Sequence, residues 1–170
     1  MGACRNKCES FGSTPFRWIY GCRFTRRVVR AIETIAVIGA GNMGSGIAQK
    51  SAQEGFAVQM VDREQQWVDR GHQIIDDFLS EAVERRIFRP AHVDEIKGRV
   101  EGVVGNQNVS PNTDLVIEAV FEDFAVKQEV FATLDEACNE HTILATNTSS
   151  LYVNALAKAT ARPDRFVGLH

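Results

Sequence analysis

The stretch Thr34–Asp62, TIAVIGAGNMGSGIAQKSAQEGFAVQMVD, carries the pattern that decides the fold of this chain. Its first residues, Ile35–Ile38, form a short apolar run that stops at a glycine, which is typical of a strand buried on both faces of a parallel sheet. The apolar residues that then recur at helical spacing are Met43, Ile47 and Ala48. Gly55 ends this helical run, and a second apolar strand over Ala57–Val61 leads to an acidic residue, Asp62. The stretch therefore predicts a strand, a helix and a second strand.

The three glycines of the first turn have the spacing GxGxxG. Gly39 permits a tight turn, Gly41 has no side chain to keep a pyrophosphate from the backbone, and Gly44 lets the helix pack closely on the strand. Unpaired N–H groups at the start of the helix would then hold the phosphates. Together with Asn42 and Met43, which lie between the last two glycines, this loop is predicted to bind a dinucleotide.

Asp62 lies 23 residues after Gly39, at the predicted end of the second strand. A carboxylate at that position can accept hydrogen bonds from both hydroxyls of the adenine ribose, and it would repel a 2′-phosphate. NAD is therefore favoured over NADP, although the neighbouring Arg63 weakens that exclusion. A glycine-rich turn can also be a purely structural connection. Here strand, glycines, helix, second strand and acid fall in register, which favours dinucleotide binding.

The rest of the chain alternates predicted helices and strands. The helices are predicted over 64–84, Pro90–Lys97 and about Ala125–Ala137, and the strands over Val100–Val104, Asp114–Val120 and Ile143–Thr146. The apolar face of the first of these helices, predicted to be core, consists of Trp67, Val68, Ile74, Ile75, Phe78, Leu79 and Val83. Such alternation predicts an α/β fold, a Rossmann-type doubly wound parallel sheet with helices on both faces.

Ligands of such sheets bind beyond the carboxyl ends of the strands. Five polar residues lie on segments that leave those ends: Glu122, Lys127, Asn147, Ser149 and His170. We therefore expect them near the nicotinamide rather than scattered over the surface. The two serines at 149 and 150 have a second interpretation as helix caps, because the segment SSLYVNALAKA begins a predicted helix and serine is a favoured cap.

Composition and charge restrict the class of protein. A length of 170 residues, with 44% apolar and 24% charged residues, is typical of one average globular domain, and no stretch approaches the roughly 20 apolar residues of a membrane span. The net charge of -3 is unevenly divided: residues 1–30 hold seven basic residues and one acidic residue, a net of +6, which leaves -9 for the remainder. That acidic remainder has no basic patch with interleaved aromatic residues, so nucleic acid is not an expected partner.

The basic segment at residues 1–31 is interpreted as an extension of the main domain at 32–170. Its apolar residues recur every four positions with arginines between them: Phe16, Tyr20, Phe24, Val28 and Ile32. A basic amphipathic helix of this kind is typical of mitochondrial targeting segments. Pro15 and Gly21 interrupt the run, however, and an upstream start codon that adds residues of no role is the rival interpretation. We expect a cytoplasmic location, with the mitochondrial matrix as the alternative.

Cysteine usage adds no further site. Cys4, Cys8 and Cys22 lie in the basic segment, and only Cys138 lies in the main domain. Their spacing fits neither a disulfide framework nor a set of zinc ligands. No metal site is expected, and reduced thiols without a function are the preferred interpretation.

Four segments, VIGAGNMGSGIAQ, DLVIEAVFEDFAVKQEVFATLDE, ILATNTSSL and RPDRFVGLH, have a family resemblance. In order and spacing they resemble the NAD-binding domain of the L-3-hydroxyacyl-CoA dehydrogenases, including short-chain 3-hydroxybutyryl-CoA dehydrogenase. The likeness covers about Ile35 to His170. It implies NAD-dependent oxidation of (S)-3-hydroxyacyl-CoA to 3-oxoacyl-CoA, as in fatty acid β-oxidation or butanoate-type metabolism.

The resemblance also implies roles for individual residues. His170 matches the catalytic base of the family, and Ser149 matches a residue that hydrogen-bonds the substrate 3-oxygen. Asn147 would help to order the nicotinamide and acyl ends of the site. Glu122 and Lys127 match the pair that lies against the nicotinamide ribose.

The same resemblance implies parts that this chain does not contain. In the family a helical C-terminal domain supplies most of a homodimer interface and closes over the acyl group, and a glutamate downstream of the histidine pairs with it. We therefore expect the domain at 32–170 to be the cofactor-binding part of an acyl-CoA enzyme, incomplete at its C-terminal end and inactive alone.

Arg85 and Arg86 could contact coenzyme A phosphates, although a solvated helix end is the preferred interpretation. Two other functions stay open. One is a related dehydrogenase of non-CoA hydroxy acids, such as carnitine or gulonate, and the other is a non-catalytic NAD-binding protein.

Overall fold

The computed structural model describes residues 31–170. The part of the predicted basic helix that precedes residue 31, and the three cysteines of the basic segment, lie outside the described residues. None of the helices in the described part of the chain is long and apolar enough to cross a membrane.

Six parallel strands form one sheet in the described residues. They are β1 Thr34–Ile38, β2 Ala57–Asp62, β3 Val100–Val104, β4 Leu115–Glu118, β5 Ile143–Thr146 and β6 Phe166–Gly168. Their order across the sheet is β3-β2-β1-β4-β5-β6, with each strand paired in parallel to its neighbours. Strands β2 and β3 are thus added on one side of β1, and strands β4, β5 and β6 follow in order on the other side. This is the predicted doubly wound topology.

Five α-helices connect these strands. They are α1 Asn42–Gln53, α2 Gln65–Glu84, α3 Pro90–Lys97, α4 Phe124–Ala137 and α5 Val153–Ala157. The predicted bounds of α3 and β3 are confirmed to the residue. Helix α4 begins at Phe124 because the Asp123 side chain accepts a hydrogen bond from the N–H of Val126 (3.0 Å), which caps the first turn.

Two predicted features near the carboxyl edge of the sheet are wrong. β4 was predicted to run to Val120, but it ends at Glu118, whose own side chain accepts the N–H of Val120 (2.7 Å) and turns the chain out of the sheet. Ser149 and Ser150 cap no helix, because α5 begins only at Val153.

The core fills both faces of the sheet. One layer packs under α1, α2 and α3 and includes Val37, Met60, Ile75, Leu79 and Ile96. The other packs under α4 and α5 and includes Ile38, Val61, Phe131, Leu134, Leu144 and Leu156. The central strands are buried by helices on both sides, which accounts for their unbroken apolar runs.

The buried face of α2 differs from the prediction in one respect. Phe78, predicted to be core, is 53% exposed, and Trp67, Ile74 and Val83 are only half-buried. The buried residues of the helix are Val68, Gly71, Ile75, Leu79 and Ala82. At Gly71 an added Cβ would lie 2.8 Å from Ala40 and from Met60. The prediction is confirmed for Val68, Ile75 and Leu79. A count of large apolar residues misses Gly71, which contacts the sheet because it has no side chain.

Candidate active site

The candidate site lies at the carboxyl edge of the sheet, where the strand order reverses between β1 and β4. Loops leaving these two strands diverge to opposite sides and open the crevice in which doubly wound sheets bind ligands. The glycine loop follows β1, and the loops at 119–123 and 147–152 follow β4 and β5. The fold therefore brings segments separated by more than 100 residues to one edge.

The glycine loop is shaped by its backbone. Gly39 has φ of +100° and lies against the end of β4, where an added Cβ would be 2.8 Å from the oxygen of Ala119. Gly44 touches the turn itself, since its Cβ would lie 1.7 Å from the Gly39 oxygen. Gly41 faces open space, and no side chain caps the first turn of α1. The N–H groups of that turn therefore have no capping side chain, and an uncapped helix start of this kind is able to hold a phosphate group.

Two residues of the loop, Asn42 and Met43, begin α1 at the crevice. Met43 is 62% exposed, so its place in the helical apolar pattern does not make it core. Its side chain and that of Asn42 line a shallow apolar depression with Ile47 of α1 and Leu169. Both residues are thus at the surface that a cofactor on this loop would contact.

Asp62, at the end of β2, is tied to the glycine loop. Its Oδ2 accepts a hydrogen bond from the N–H of Ala40 (2.8 Å), and its Oδ1 accepts one from the N–H of Arg63 (2.7 Å). The carboxylate therefore lies beside the loop, as the sequence predicts for a ribose ligand. The neighbouring Arg63 side chain is exposed, and its Nε lies 3.6 Å from Oε1 of Glu64.

A buried ion pair lies behind the loops that follow β4 and β5. The Nζ of Lys127 donates to Oε1 of Glu118 at 2.6 Å, and the side chains are 1% and 0% exposed. Glu118 also accepts the hydroxyl of Thr146 (2.7 Å). Sequence reasoning missed Glu118, although an acid in the middle of the apolar run DLVIEAV is the signal, because a charge on a buried strand needs a partner.

Lys127 joins this pair to the outer carboxylate of Glu122. Its Nζ lies 3.1 Å from Oε2 of Glu122, whose side chain is 41% exposed. Oε1 of Glu122 accepts hydrogen bonds from the hydroxyls of Thr148 and Ser150. These bonds, the Thr148 hydroxyl first, together with Lys127 lower the pKa of Glu122 to about 2, against a desolvation effect that raises it. Glu122 is therefore a carboxylate at any physiological pH.

The loop after β5 is held by this cluster. The N–H of Asn147 donates to the backbone oxygen of Glu118 (2.9 Å), and the hydroxyl of Thr148 accepts the N–H of Leu151 (3.0 Å). Ser149, between these anchored residues, is exposed at the edge of the crevice. The loop thus presents Ser149 outward on a backbone that is fixed on both sides of it.

His170 follows β6 at the same edge. The N–H of Leu169 donates to the oxygen of Thr146 (2.9 Å), which continues the strand pairing past the end of β6. Phe166 packs edge-on against Phe131 of α4, with ring centroids 4.5 Å apart. His170 itself is exposed. Five predicted site residues, Glu122, Lys127, Asn147, Ser149 and His170, therefore share one edge of the sheet.

Arg85 and Arg86 lie elsewhere. Helix α2 starts beside Asp62 and runs 20 residues, roughly 30 Å at the rise of an α-helix, before it reaches them. Both are exposed, Arg85 forms an ion pair with Glu81, and Arg86 has φ of +59°, in the left-handed region. The structure does not bring these arginines to the residues at the carboxyl edge.

Comparisons with known proteins agree with this geometry. The model of the family "3-hydroxyacyl-CoA dehydrogenase, NAD binding domain" matches residues 34–170. The chain is 41% identical over 136 residues to a 3-hydroxybutyryl-CoA dehydrogenase of Clostridioides difficile, covering 80% of this chain and 48% of that protein. It is 38% identical over 144 residues to the mitochondrial hydroxyacyl-coenzyme A dehydrogenase of Sus scrofa, covering 82% and 46%.

The fold comparison gives the same result. The crystal structure of the (S)-3-hydroxybutyryl-CoA dehydrogenase PaaH1 from Ralstonia eutropha superposes with a TM-score of 0.79 at 34% identity, over 82% of this chain and 49% of that one. The chain thus spans about half the length of the relatives that it matches.

Proposed function

The chain belongs to the 3-hydroxyacyl-CoA dehydrogenase family through its NAD-binding domain, and from this premise we propose that it serves the NAD-dependent oxidation of (S)-3-hydroxyacyl-CoA to 3-oxoacyl-CoA. The observation that carries the proposal is the common edge on which the glycine loop, the Glu122–Lys127 pair and Ser149 lie. In this proposal the chain supplies the cofactor-binding half of the site, and acyl recognition requires the second half that the relatives carry.

The residues present fit NAD. Gly41 leaves space for a pyrophosphate over the uncapped start of α1, and Asp62 offers a carboxylate at the loop for the ribose hydroxyls. Gly39, Gly44, Asn42 and Met43 would form the rest of that contact surface. When bound, NAD supplies the acceptor for the hydride that leaves C3 of the substrate.

His170 is the proposed general base. Its imidazole can take the proton of the 3-hydroxyl in oxidation and return it to the 3-oxygen in the reverse direction. Ser149 would donate a hydrogen bond to the same oxygen and so orient it. Asn147, on the anchored backbone beside Ser149, would order the adjoining ends of the cofactor and acyl group.

Glu122 and Lys127 are proposed to contact the nicotinamide ribose. Glu122 is ionised and exposed on the crevice side, so its oxygens can accept ribose hydroxyls, whereas the ammonium of Lys127 is buried behind it. Lys127 would act mainly by holding that carboxylate in place.

Arg85 and Arg86 are proposed to bind phosphates of coenzyme A. Both guanidinium groups lie on the exposed end of α2, and a cation that is not buried can reach a phosphate at little desolvation cost. Coenzyme A is a long molecule, so its phosphates can lie far from the reacting carbon. Replacing both arginines by Gln should raise the KM for acetoacetyl-CoA and leave the KM for a short acetoacetyl thioester without nucleotide unchanged.

The activity is tested on this chain joined to the second half of a 3-hydroxybutyryl-CoA dehydrogenase relative. We expect acetoacetyl-CoA to be reduced with NADH, and (S)-3-hydroxybutyryl-CoA to be oxidised with NAD. Carnitine and gulonate serve as comparison substrates at equal concentration. Turnover of either one in preference to the CoA ester would refute the proposal, and so would NADH binding without turnover of any of them.

Two further proposals concern assembly and location. We propose that the joined protein forms a homodimer through the half contributed by the relative, which light scattering would test. We propose a cytoplasmic location, with the mitochondrial matrix as the alternative because the relative from Sus scrofa is named mitochondrial. Residues 1–31 fused to a fluorescent protein would distinguish the two locations.

A further inference from the structure

Glu118 ends β4, and its side chain is fully buried behind the crevice. Its carboxylate accepts three hydrogen bonds, from Lys127 Nζ (2.6 Å), from the Thr146 hydroxyl (2.7 Å) and from the Val120 N–H (2.7 Å). A buried carboxylate is costly unless it is paired and hydrogen-bonded, and these three donors meet that requirement. The donors belong to α4, to β5 and to the turn after β4, so one carboxylate joins three parts of the fold.

The chain of contacts continues outward from Glu118 to the crevice. Lys127 Nζ bridges the buried oxygen of Glu118 and the outer oxygen of Glu122, at 2.6 and 3.1 Å. Glu122 then accepts the hydroxyls of Thr148 and Ser150. The backbone oxygen of Glu118 also accepts the N–H of Asn147 at 2.9 Å. The start of the 147–150 loop is thus bonded directly to Glu118, and its end is linked to Glu118 through Glu122 and Lys127.

We propose that Glu118 is a positioning residue for the nicotinamide half of the cofactor site. It fixes the ammonium of Lys127, the ammonium fixes Glu122, and Glu122 orders the loop that presents Ser149. Within residues 31–170, none of the hydrogen bonds accepted by the Glu118 side chain comes from the glycine loop or from Asp62. The adenine half of the site is therefore expected to be independent of Glu118. The inference rests on the proposed function, since it takes Glu122 and Lys127 as contacts of the nicotinamide ribose.

The test compares two ligands on the 170-residue chain. ADP-ribose reports on the adenine half alone, whereas NADH reports on both halves. Glu118→Gln keeps the shape of the side chain but removes its charge and gives Lys127 a poorer partner. We expect NADH affinity to fall about tenfold or more, and ADP-ribose affinity to stay within about twofold of the wild type. Glu129→Gln, an exposed carboxylate on the same helix as Lys127, is the matched control and should change neither affinity.

The ratio of the two affinities separates positioning from general stability. The inference would be overturned if Glu118→Gln lost affinity equally for NADH and ADP-ribose, or if it bound NADH as tightly as the wild type. Neither result would contradict the proposed cofactor site. A wild-type chain that binds neither ligand would overturn the proposed cofactor site itself. If circular dichroism shows Glu118→Gln to be unfolded, Thr146→Val removes one donor to Glu118, and Thr146→Ser keeps it. Weaker NADH binding in Thr146→Val alone supports the inference, and equal NADH binding in the two Thr146 variants refutes it.

Discussion

In the loop at 39–44 the contacts that shape the site are made by backbone atoms, whereas at the ends of β4 and β5 they are made by charged and hydroxyl side chains. The glycine loop requires residues that have no side chain, because an added Cβ at Gly44 would lie 1.7 Å from a backbone oxygen. The other half needs Glu118, Lys127 and Glu122 together, because each neutralises or orders the next. The adenine half should therefore respond to added volume, and the nicotinamide half to removed charge or hydrogen bonds.

We expect the largest loss of function on the side-chain half. In the chain joined to the second half of a relative, His170→Gln should lower turnover of acetoacetyl-CoA by about 100-fold or more, because it removes proton transfer, while NADH affinity should not change. Steady-state kinetics and a fluorescence titration of NADH measure the two quantities. His92→Gln on α3 is the control and should leave both unchanged. Near-normal turnover in His170→Gln would mean that the base lies elsewhere.

Added volume should damage the backbone half. Gly44→Ala places a methyl group against the Gly39 oxygen, so the start of α1 must move; we expect a loss of about 2–3 kcal/mol in the free energy of unfolding, and weaker NADH binding. Gly46→Ala is the matched control in the same helix, because its Cβ meets nothing within 4 Å. It should gain about 0.5–1 kcal/mol from helix propensity. Urea denaturation of the two variants decides the question, and similar stabilities would refute the role given to Gly44.

The same contrast explains what could be predicted from the sequence. Parts of the fold that are shaped by the backbone have local signals in the sequence. The glycine spacing predicted the β1–α1 turn, and the apolar runs predicted five of the six strands, β1 to β5, to within a few residues. The alternation of strands with helices predicted a doubly wound parallel sheet, without an order of strands. Where the sequence pattern was misleading, a local contact decided the outcome, as when the Glu118 side chain ended β4 before Val120.

Side-chain networks have weaker signals because their members are distant in sequence. Lys127 and Glu122 were predicted to lie at the crevice, but the buried Glu118 that holds them was missed. Thr146 and Thr148 were also missed, since a hydroxyl that bonds to a carboxylate 28 or 26 residues away leaves no periodic pattern. Only the three-dimensional structure shows that the loop carrying Ser149 depends on them.

The choice between NADH and NADPH tests whether the adenine half of the site, at the glycine loop, also discriminates between ligands by their charge. We expect NADH to bind at least about tenfold more tightly than NADPH, because a 2′-phosphate would lose the hydrogen bonds offered by Asp62 and meet its negative charge. Parallel fluorescence titrations of the two cofactors measure the preference. Asp62→Asn should reduce the preference, although it also weakens the tie between the carboxylate and the Ala40 N–H. Equal affinities of the wild type for NADH and NADPH would refute the role of Asp62.

The smallest expected effect concerns the ionisation of Glu122. Its pKa is lowered from an ordinary 4.5 to about 2, chiefly by the hydrogen bond from the Thr148 hydroxyl. Thr148→Val should therefore raise the pKa of Glu122 toward its ordinary value, whereas Thr148→Ser, which keeps a hydroxyl, should leave it low. A carboxyl with a lowered pKa in the folded state stabilises the fold above its ordinary pKa, and this contribution is lost as pH falls from about 4.5 to about 2. Wild type should thus lose more stability than Thr148→Val across that range, by a modest amount because Glu122 is 41% exposed. Carbon NMR of the Glu122 carboxyl group gives its pKa directly, and an unchanged pKa in Thr148→Val would mean that Lys127 and Ser150 alone keep this end of the site charged.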